Sequence, residues 1–230
     1  LPGQVFSRVH VDDIASGVMA ALTGNAPAGV FVDNAMDSVA SLVPEPRPEE
    51  RDLALEKAQQ MLLTMPKPVV VGVNGMAAGG GVPMTLVGDI VLVDETARYR
   101  LAYTAAGLSP DGGSTWLLPR LIGLRRTQEL IFENRELSAA EAVDWGLATR
   151  TVPEGTALES AIALAQTFAK GPTQAFASSR RMLHVSLDND FMTQTDIETQ
   201  EIGANMTGAD GQEGLDAFIN KRPPAFTGRR

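Results

Sequence analysis

Residues 67–94 read KPVVVGVNGMAAGGGVPMTLVGDIVLVD, and this stretch decides the fold. Residues 69–73 are almost all valine, which predicts a strand buried on both faces, because β-branched side chains suit an enclosed, pleated surface. Residues 74–81 predict a turn of small residues, residues 82–87 a short helix, and residues 89–94 a second strand. This order of strand, glycine turn, helix and strand predicts a layered α/β core.

The chain becomes helical on the C-terminal side of this core. Ser138 and Glu141 have the spacing of a capping box, which predicts a helix that begins after Ser138 and ends at Gly146. Helical patterns also occupy residues 172–187, 190–206 and 212–220. The sequence therefore predicts an α/β core over residues 1–150 and a helical C-terminal region over residues 151–230.

The composition disfavours several classes of function. The 230 residues carry 19 basic and 28 acidic side chains, and the resulting net charge of −9 argues against nucleic-acid and anionic-membrane partners. The chain has no cysteine and two histidines, which excludes thiol catalysis, disulfides and a histidine-rich metal site, so we expect no bound metal. The sequence has no apolar run of about 18 residues, so we expect no membrane span and a cytoplasmic location.

The first candidate site is the glycine run at Gly79, Gly80 and Gly81, between a strand and a helix start. Glycines allow close approach of the backbone to a ligand, and unpaired N–H groups at a helix start can hold an oxyanion. A tight turn needed only for packing is the alternative. A dinucleotide fold is a further alternative because Asp94 ends the next strand, but the G-x-G-x-x-G pattern and the lysine of a phosphate loop are both missing.

The second candidate site is the turn at residues 107–116, which read GLSPDGGSTW. Proline and glycine fix such a turn, and either Ser114 or Thr115 is expected to cap the helix that follows. Asp111 therefore lies on a rigid bend, the kind of position where catalytic groups are often found. The alternative is that Asp111 serves only to stabilise the turn.

Taken together, these motifs resemble the signature of the crotonase (enoyl-CoA hydratase/isomerase) superfamily in order and spacing. The resemblance begins near residue 60 and continues through residues 137–142, 145–147 and 214–226. It implies a crotonase-like spiral of ββα units with a C-terminal helical oligomerisation region, assembled as a homotrimer or a dimer of trimers. It also implies an acyl-CoA substrate, with no cofactor besides the coenzyme A thioester itself. Residues 1–40 depart from the pattern, so we expect this part of the spiral to be atypical or incomplete.

The resemblance also bears on the reaction. Hydratases of the superfamily carry two glutamates, and Pro83 and Tyr103 stand at the matching positions, where neither supplies a carboxylate. Asp111 stands in the turn where some family isomerases and aroyl-CoA dehalogenases carry their working aspartate. The turn and the C-terminal tail are most similar to those of 1,2-epoxyphenylacetyl-CoA isomerases and related enoyl-CoA isomerases. We therefore expect an isomerase that uses Asp111 as its acid–base group, in fatty-acid metabolism or aromatic degradation.

The resemblance assigns further residues to the thioester and its coenzyme. Gly80 is expected to donate its N–H to the thioester oxygen, with Asn34 or Ala35 as the second donor. Phe218 and Lys221 match a Phe-x-x-Lys tail that in relatives contacts coenzyme A from a neighbouring subunit. The predicted substrate-binding residues are Asn34, Ala35, Gly79, Gly81, Pro83, Tyr103, Trp116, Phe218 and Lys221.

Two other functions stay open at this point. Asp111 is also suited to act as a nucleophile, as in a thioester hydrolase or a dehalogenase that passes through an aspartyl adduct. The other possibility is a catalytically impaired acyl-CoA-binding homologue, because Pro83 and Tyr103 stand where hydratases have carboxylates.

Overall fold

A computed structural model of the chain describes residues 29–32, 56–57 and 59–228. Its strands are β1 (Gly29–Val32), β2 (Val70–Val73), β3 (Met76–Ala78), β4 (Ile90–Asp94), β5 (Arg98–Arg100), β6 (Leu137–Ser138) and β7 (Arg150–Val152). Its helices are α1 (Gly81–Leu86), α2 (Ser114–Ile122), α3 (Leu124–Glu133), α4 (Ala139–Trp145), α5 (Ala157–Ala169), α6 (Thr173–Ser186), α7 (Phe191–Thr207) and α8 (Ala209–Ile219). Residues 59–64 are also helical, and Thr104–Ala106 form a 3₁₀ turn.

The larger sheet consists of parallel strands in the order β1-β2-β4-β7. All four residues of β2 and four of the five in β4 are buried, which confirms the strand pair predicted from the valine-rich runs. Gly72 in β2 allows α5 to approach closely, since a Cβ at Gly72 would lie 2.8 Å from the Ala157 carbonyl oxygen. Helix α1 lies within one residue of its predicted position, and all six of its residues are buried.

A smaller sheet, in the order β3-β5-β6, corrects one prediction. Residues 74–81 were expected to form only a turn, but Met76–Ala78 form β3, which pairs in parallel with β5. A partner strand 22 residues away in sequence creates this strand, as Met76 pairs with Arg98 and Ala78 with Arg100. The pairing brings the carboxyl ends of β3 and β5 to one edge of the sheet, where the candidate site begins.

The capping box is present at the start of α4, as predicted. The Ser138 hydroxyl accepts a hydrogen bond from the Glu141 N–H at 3.3 Å, and the Glu141 carboxylate accepts one from the Ser138 N–H at 2.9 Å. Gly146 ends the helix with φ +85°, the left-handed conformation that glycine adopts without strain. The capping box adjoins the small sheet, because its first residue, Ser138, also belongs to β6, whose Leu137 pairs with Tyr99 of β5.

The described residues form two compact units. The first contains the described residues up to Leu63 together with Val69–Ile162, and the second contains Thr64–Pro68 and the residues from Ala163 onward. Within the described ranges, no helix combines the length and the apolar character needed to cross a membrane.

The second unit is helical, and its C-terminal tail is held against α8. Arg222 donates to both oxygens of Glu213, at 2.6 and 2.8 Å. Buried Asp210 accepts hydrogen bonds from the N–H groups of Thr227 at 2.7 Å and Gly228 at 2.9 Å. These contacts give the residues that follow α8 a defined path.

Candidate active site

The glycine run follows β3 directly and forms a turn before α1. Gly79 has φ +51°, and its N–H donates to the Arg100 carbonyl oxygen at 3.0 Å, which ties the turn to the end of β5. Gly80 is half-buried and right-handed, with φ −59°, and caps α1. Within the described part of the chain, the N–H groups of Gly80 and Gly81 have no hydrogen-bond acceptor. Backbone donors of this kind can hold a developing oxyanion.

The Asp111 turn is formed by glycines in the left-handed region. Gly112 and Gly113 have φ +56° and +72°, and the Asp111 carbonyl oxygen accepts a hydrogen bond from the Ser114 N–H at 3.0 Å. The prediction that Ser114 or Thr115 caps α2 is wrong, because Gly113 is the cap and both residues lie inside the helix. Two consecutive left-handed glycines bend the chain so sharply that α2 already begins at Ser114. The cap position therefore falls on Gly113, which has no side chain to cap the helix. The Asp111 side chain itself is exposed.

Gly112 packs this turn against the helix that follows the glycine run. A Cβ on Gly112 would lie 2.8 Å from Cγ and 2.9 Å from Cβ of Pro83, the third residue of α1. The carbonyl oxygen of Gly112 also accepts a hydrogen bond from the Gln59 amide at 2.9 Å, and Gln59 is buried. Asp111 is thereby held one residue from a contact with the helix that Gly80 caps. Sequence reasoning missed Gln59, since one polar residue in a helical pattern carries no signal.

Tyr103 joins the segment after β5 to the Asp111 turn. Its phenol donates a hydrogen bond of 2.5 Å to Oδ1 of Asp111. Tyr103 follows β5 by three residues, and the glycine run follows β3 directly, so the parallel pairing of β3 with β5 brings both segments to the same sheet edge. The sequence predicted Tyr103 as a substrate-binding residue at a position where hydratases carry a glutamate, but its contact with Asp111 was not predicted.

The remaining predicted site residues lie in different places. Pro83 is buried in α1, and Trp116 lies on α2, 40% exposed, with the Arg120 guanidinium 3.9 Å from its ring centroid. Phe218 and Lys221 belong to the second unit, where Phe218 is 83% exposed and Lys221 has φ +52°. Asn34 and Ala35 lie outside the described residues, as does most of the segment 1–40.

Asp94 argues against the nucleotide-binding alternative. The residue is 1% exposed, and its carboxylate accepts hydrogen bonds from the N–H and hydroxyl of Thr96 and from the Gly155 N–H. Burial alone would raise the pKa of Asp94, but these hydrogen bonds outweigh it and lower the pKa. A buried carboxylate whose oxygens are both engaged is not available to a ribose.

Among the described residues, no group of three or more His, Asp or Glu side chains is arranged to hold a metal ion.

Comparison with known proteins identifies the family. The family model described as "Enoyl-CoA hydratase/isomerase" matches residues 45–229. A protein named "Probable enoyl-CoA hydratase" from Rhodobacter capsulatus is 37% identical over 174 residues, which cover 76% of this chain and 68% of that protein. The 1,2-epoxyphenylacetyl-CoA isomerase of Escherichia coli K12 is 38% identical over 168 residues, which cover 73% of this chain and 64% of the isomerase. The chain thus matches about two thirds of the length of these two relatives.

The solved structures agree with the sequence relatives. The crystal structure of an enoyl-CoA hydratase from Bacillus anthracis matches with a TM-score of 0.82 and 26% identity, over 95% of this chain and 88% of that one. The predicted crotonase-like fold with C-terminal helices is therefore confirmed. The chain belongs to the enoyl-CoA hydratase/isomerase family, a family of enzymes within the crotonase superfamily.

Proposed function

We propose that this protein is an acyl-CoA isomerase that moves a double bond along a coenzyme A thioester. One observation carries the proposal: Asp111 accepts a hydrogen bond from Tyr103, in a turn packed through Gly112 onto the helix that Gly80 caps. These contacts tie the turn that carries the carboxylate to the helix whose cap supplies the backbone N–H donors, which supports the proposal. The relatives include a probable hydratase and an isomerase, so the choice between these reactions depends on the residues of this chain.

The reaction needs one proton donor and acceptor and one oxyanion site. In the proposed mechanism, the Gly80 N–H donates to the thioester oxygen of a 3-enoyl-CoA. Asp111 removes a proton from the carbon next to the carbonyl, and the electron pair delocalises into a dienolate. Asp111 then returns the same proton two carbons away, which leaves a 2-enoyl-CoA and restores the carboxylate. Loss of one oxyanion donor typically raises such a barrier by about 3 kcal/mol.

Water addition fits these residues less well. Pro83 is a buried apolar residue of α1 and has no group that could activate water. Tyr103 uses its hydroxyl proton in the hydrogen bond with Asp111. Asp111 is then the acid–base group that the proposal requires, and a single carboxylate suffices for a proton transfer within one substrate.

The proposal extends to the coenzyme and to assembly. Lys221 has a left-handed backbone two residues after the end of α8, a position that favours glycine, so we infer that its ammonium group serves a function such as binding the coenzyme phosphates. Helix α7 has no buried residue and exposes Phe191, Met192 and Ile202, in keeping with a homotrimer or a dimer of trimers in which these side chains are covered. The cytoplasmic location and the metabolic setting stay predictions.

The test is the rate of 3-enoyl-CoA isomerisation, followed by the absorbance of the conjugated product. Asp111→Asn is expected to lower kcat by at least about 100-fold, because the amide cannot accept the proton. Asp144→Asn, which removes another exposed carboxylate of the first unit, serves as the matched control and should retain wild-type activity. Equal activity of Asp111→Asn and wild type would contradict the proposal.

Two further measurements separate the alternatives. Mass spectrometry of the enzyme quenched during a single turnover should detect no covalent adduct on Asp111, whereas an aspartyl adduct would indicate a hydrolase or dehalogenase. Calorimetry with an acyl-CoA should detect binding by both wild type and Asp111→Asn. Binding without turnover in the wild type would identify a catalytically impaired homologue.

A further inference from the structure

We propose that Tyr103 is a positioning residue that fixes the orientation of the Asp111 carboxylate, and that Asn134 in turn holds Tyr103 in place. The inference rests on the proposed isomerase function of Asp111. It adds Tyr103 and Asn134, neither of which has a carboxylate, to the residues on which the isomerisation rate depends.

The contact between Tyr103 and Asp111 is short and selective. The 2.5 Å separation of the phenol oxygen and Oδ1 lies in the range of hydrogen bonds from a hydroxyl to a carboxylate. The Asp111 side chain is exposed, so without this donor it would rotate among several staggered conformations in solvent. The hydrogen bond selects one conformation and occupies Oδ1, which leaves Oδ2 to exchange the proton with the substrate.

The backbone beside Tyr103 is strained and held from two sides. Ala102 has φ +62°, a conformation that is costly for a residue with a Cβ. Its N–H donates to Oδ1 of Asn134 at 2.9 Å, and Asn134 itself follows α3 in the left-handed region with φ +51°. The Thr104 hydroxyl donates to the Ile131 carbonyl oxygen at 2.7 Å on the other side. A strained residue persists only where its surroundings enforce it, and such residues concentrate at functional sites.

The proposed reaction explains why this arrangement is useful. The carboxylate has to reach two carbons of one substrate in succession, so its orientation must be kept between the two proton transfers. Positioning errors of about 1 Å can lower a rate by about 100-fold. A chain of contacts links the end of α3 to the Asp111 carboxylate. The Asn134 side chain accepts from the N–H of the strained Ala102, and the next residue, Tyr103, donates from its phenol to Asp111.

Tyr103→Phe removes the donor and keeps the ring, and it is expected to lower kcat about 10- to 100-fold with the KM for 3-enoyl-CoA changed by less than about 2-fold. Asn134→Gly keeps a residue that accepts the left-handed backbone and removes the acceptor of Ala102, and a smaller fall in kcat, about 3- to 10-fold, is expected. Thr156→Val removes a hydroxyl that donates to the Pro153 carbonyl oxygen at 2.7 Å, outside the segments that hold Tyr103, and serves as the control, with kcat unchanged.

The double variant Tyr103→Phe with Asp111→Asn separates positioning from a general effect on the fold. If Tyr103 acts through Asp111, the double variant should be no slower than Asp111→Asn alone. A further loss in the double variant would overturn the proposal, as would a Tyr103→Phe variant with normal kcat or with a raised KM alone. Full activity of Asp111→Asn would instead refute the proposed function, so the two failures are distinguishable.

Discussion

Replacement of Gly112 by alanine is expected to disturb the contact that holds the Asp111 turn against α1. Gly112 has φ +56°, and an added Cβ would meet Pro83 at 2.8 and 2.9 Å and the Gln59 amide nitrogen at 3.1 Å. Pro83 is buried inside α1, and its ring cannot turn away as the end of a flexible side chain can. The new methyl group can be accommodated only if the turn moves away from the helix.

The size of the effect follows from two separable contributions. A residue with a Cβ in the left-handed region costs about 1–2 kcal/mol. Overpacking against a fixed neighbour costs about 1–3 kcal/mol more. The free energy of unfolding should therefore fall by about 2–5 kcal/mol in Gly112→Ala. Gly107 is the matched control, since it has φ +73° and nothing within 4 Å of an added Cβ, so Gly107→Ala should lose only the first contribution.

Urea denaturation of both variants measures the stability difference, and the 3-enoyl-CoA isomerisation rate measures the displacement of Asp111. We expect Gly112→Ala to lose more stability than Gly107→Ala, and to lose about 100-fold in kcat if the carboxylate moves by about 1 Å. Equal losses of stability and activity in the two variants would refute the reasoning, because contact with Pro83 would then have no part in placing Asp111.

Two other predictions concern the strand core and the C-terminal tail. Gly72→Ala should lower the free energy of unfolding by about 1–3 kcal/mol in urea denaturation, because its Cβ would lie 2.8 Å from the rigid Ala157 carbonyl oxygen; a change near zero would contradict the close packing of α5 on β2. Hydrogen bonds from Arg222 and from the Ala225 N–H lower the pKa of Glu213 to about 2, so the tail contacts should persist at pH 4–5 and be lost only as the pH falls toward 2. An NMR titration of the Ala225 amide measures this, and an inflection between pH 4 and 5, absent from a Glu213→Gln control, would show an ordinary carboxylate instead.

Local sequence patterns predicted much of the fold. The valines around Gly72 formed a buried strand because a β-branched run has few other stable environments, and the Ser138 and Glu141 pair capped α4 because its hydrogen bonds lie within four residues. The cap of α2 was predicted wrongly at Ser114 or Thr115, because two left-handed glycines satisfied the turn without a side-chain cap. Strand β3 was missed because its residues have no strand signal of their own.

The sequence by itself determined strands β2 and β4, helices α1 and α4, the glycine run at Gly80 and the sharp turn that carries Asp111. Only the tertiary structure decided that the Asp111 turn packs on the helix after the glycine run, and that Tyr103 donates a hydrogen bond to Asp111. The physical reason is the range of the interactions involved. Periodicity, capping and turn chemistry act within a few residues, whereas the contacts of Tyr103 with Asp111 and of Gly112 with Pro83 depend on the pairing of β3 with β5 and on the packing of α1.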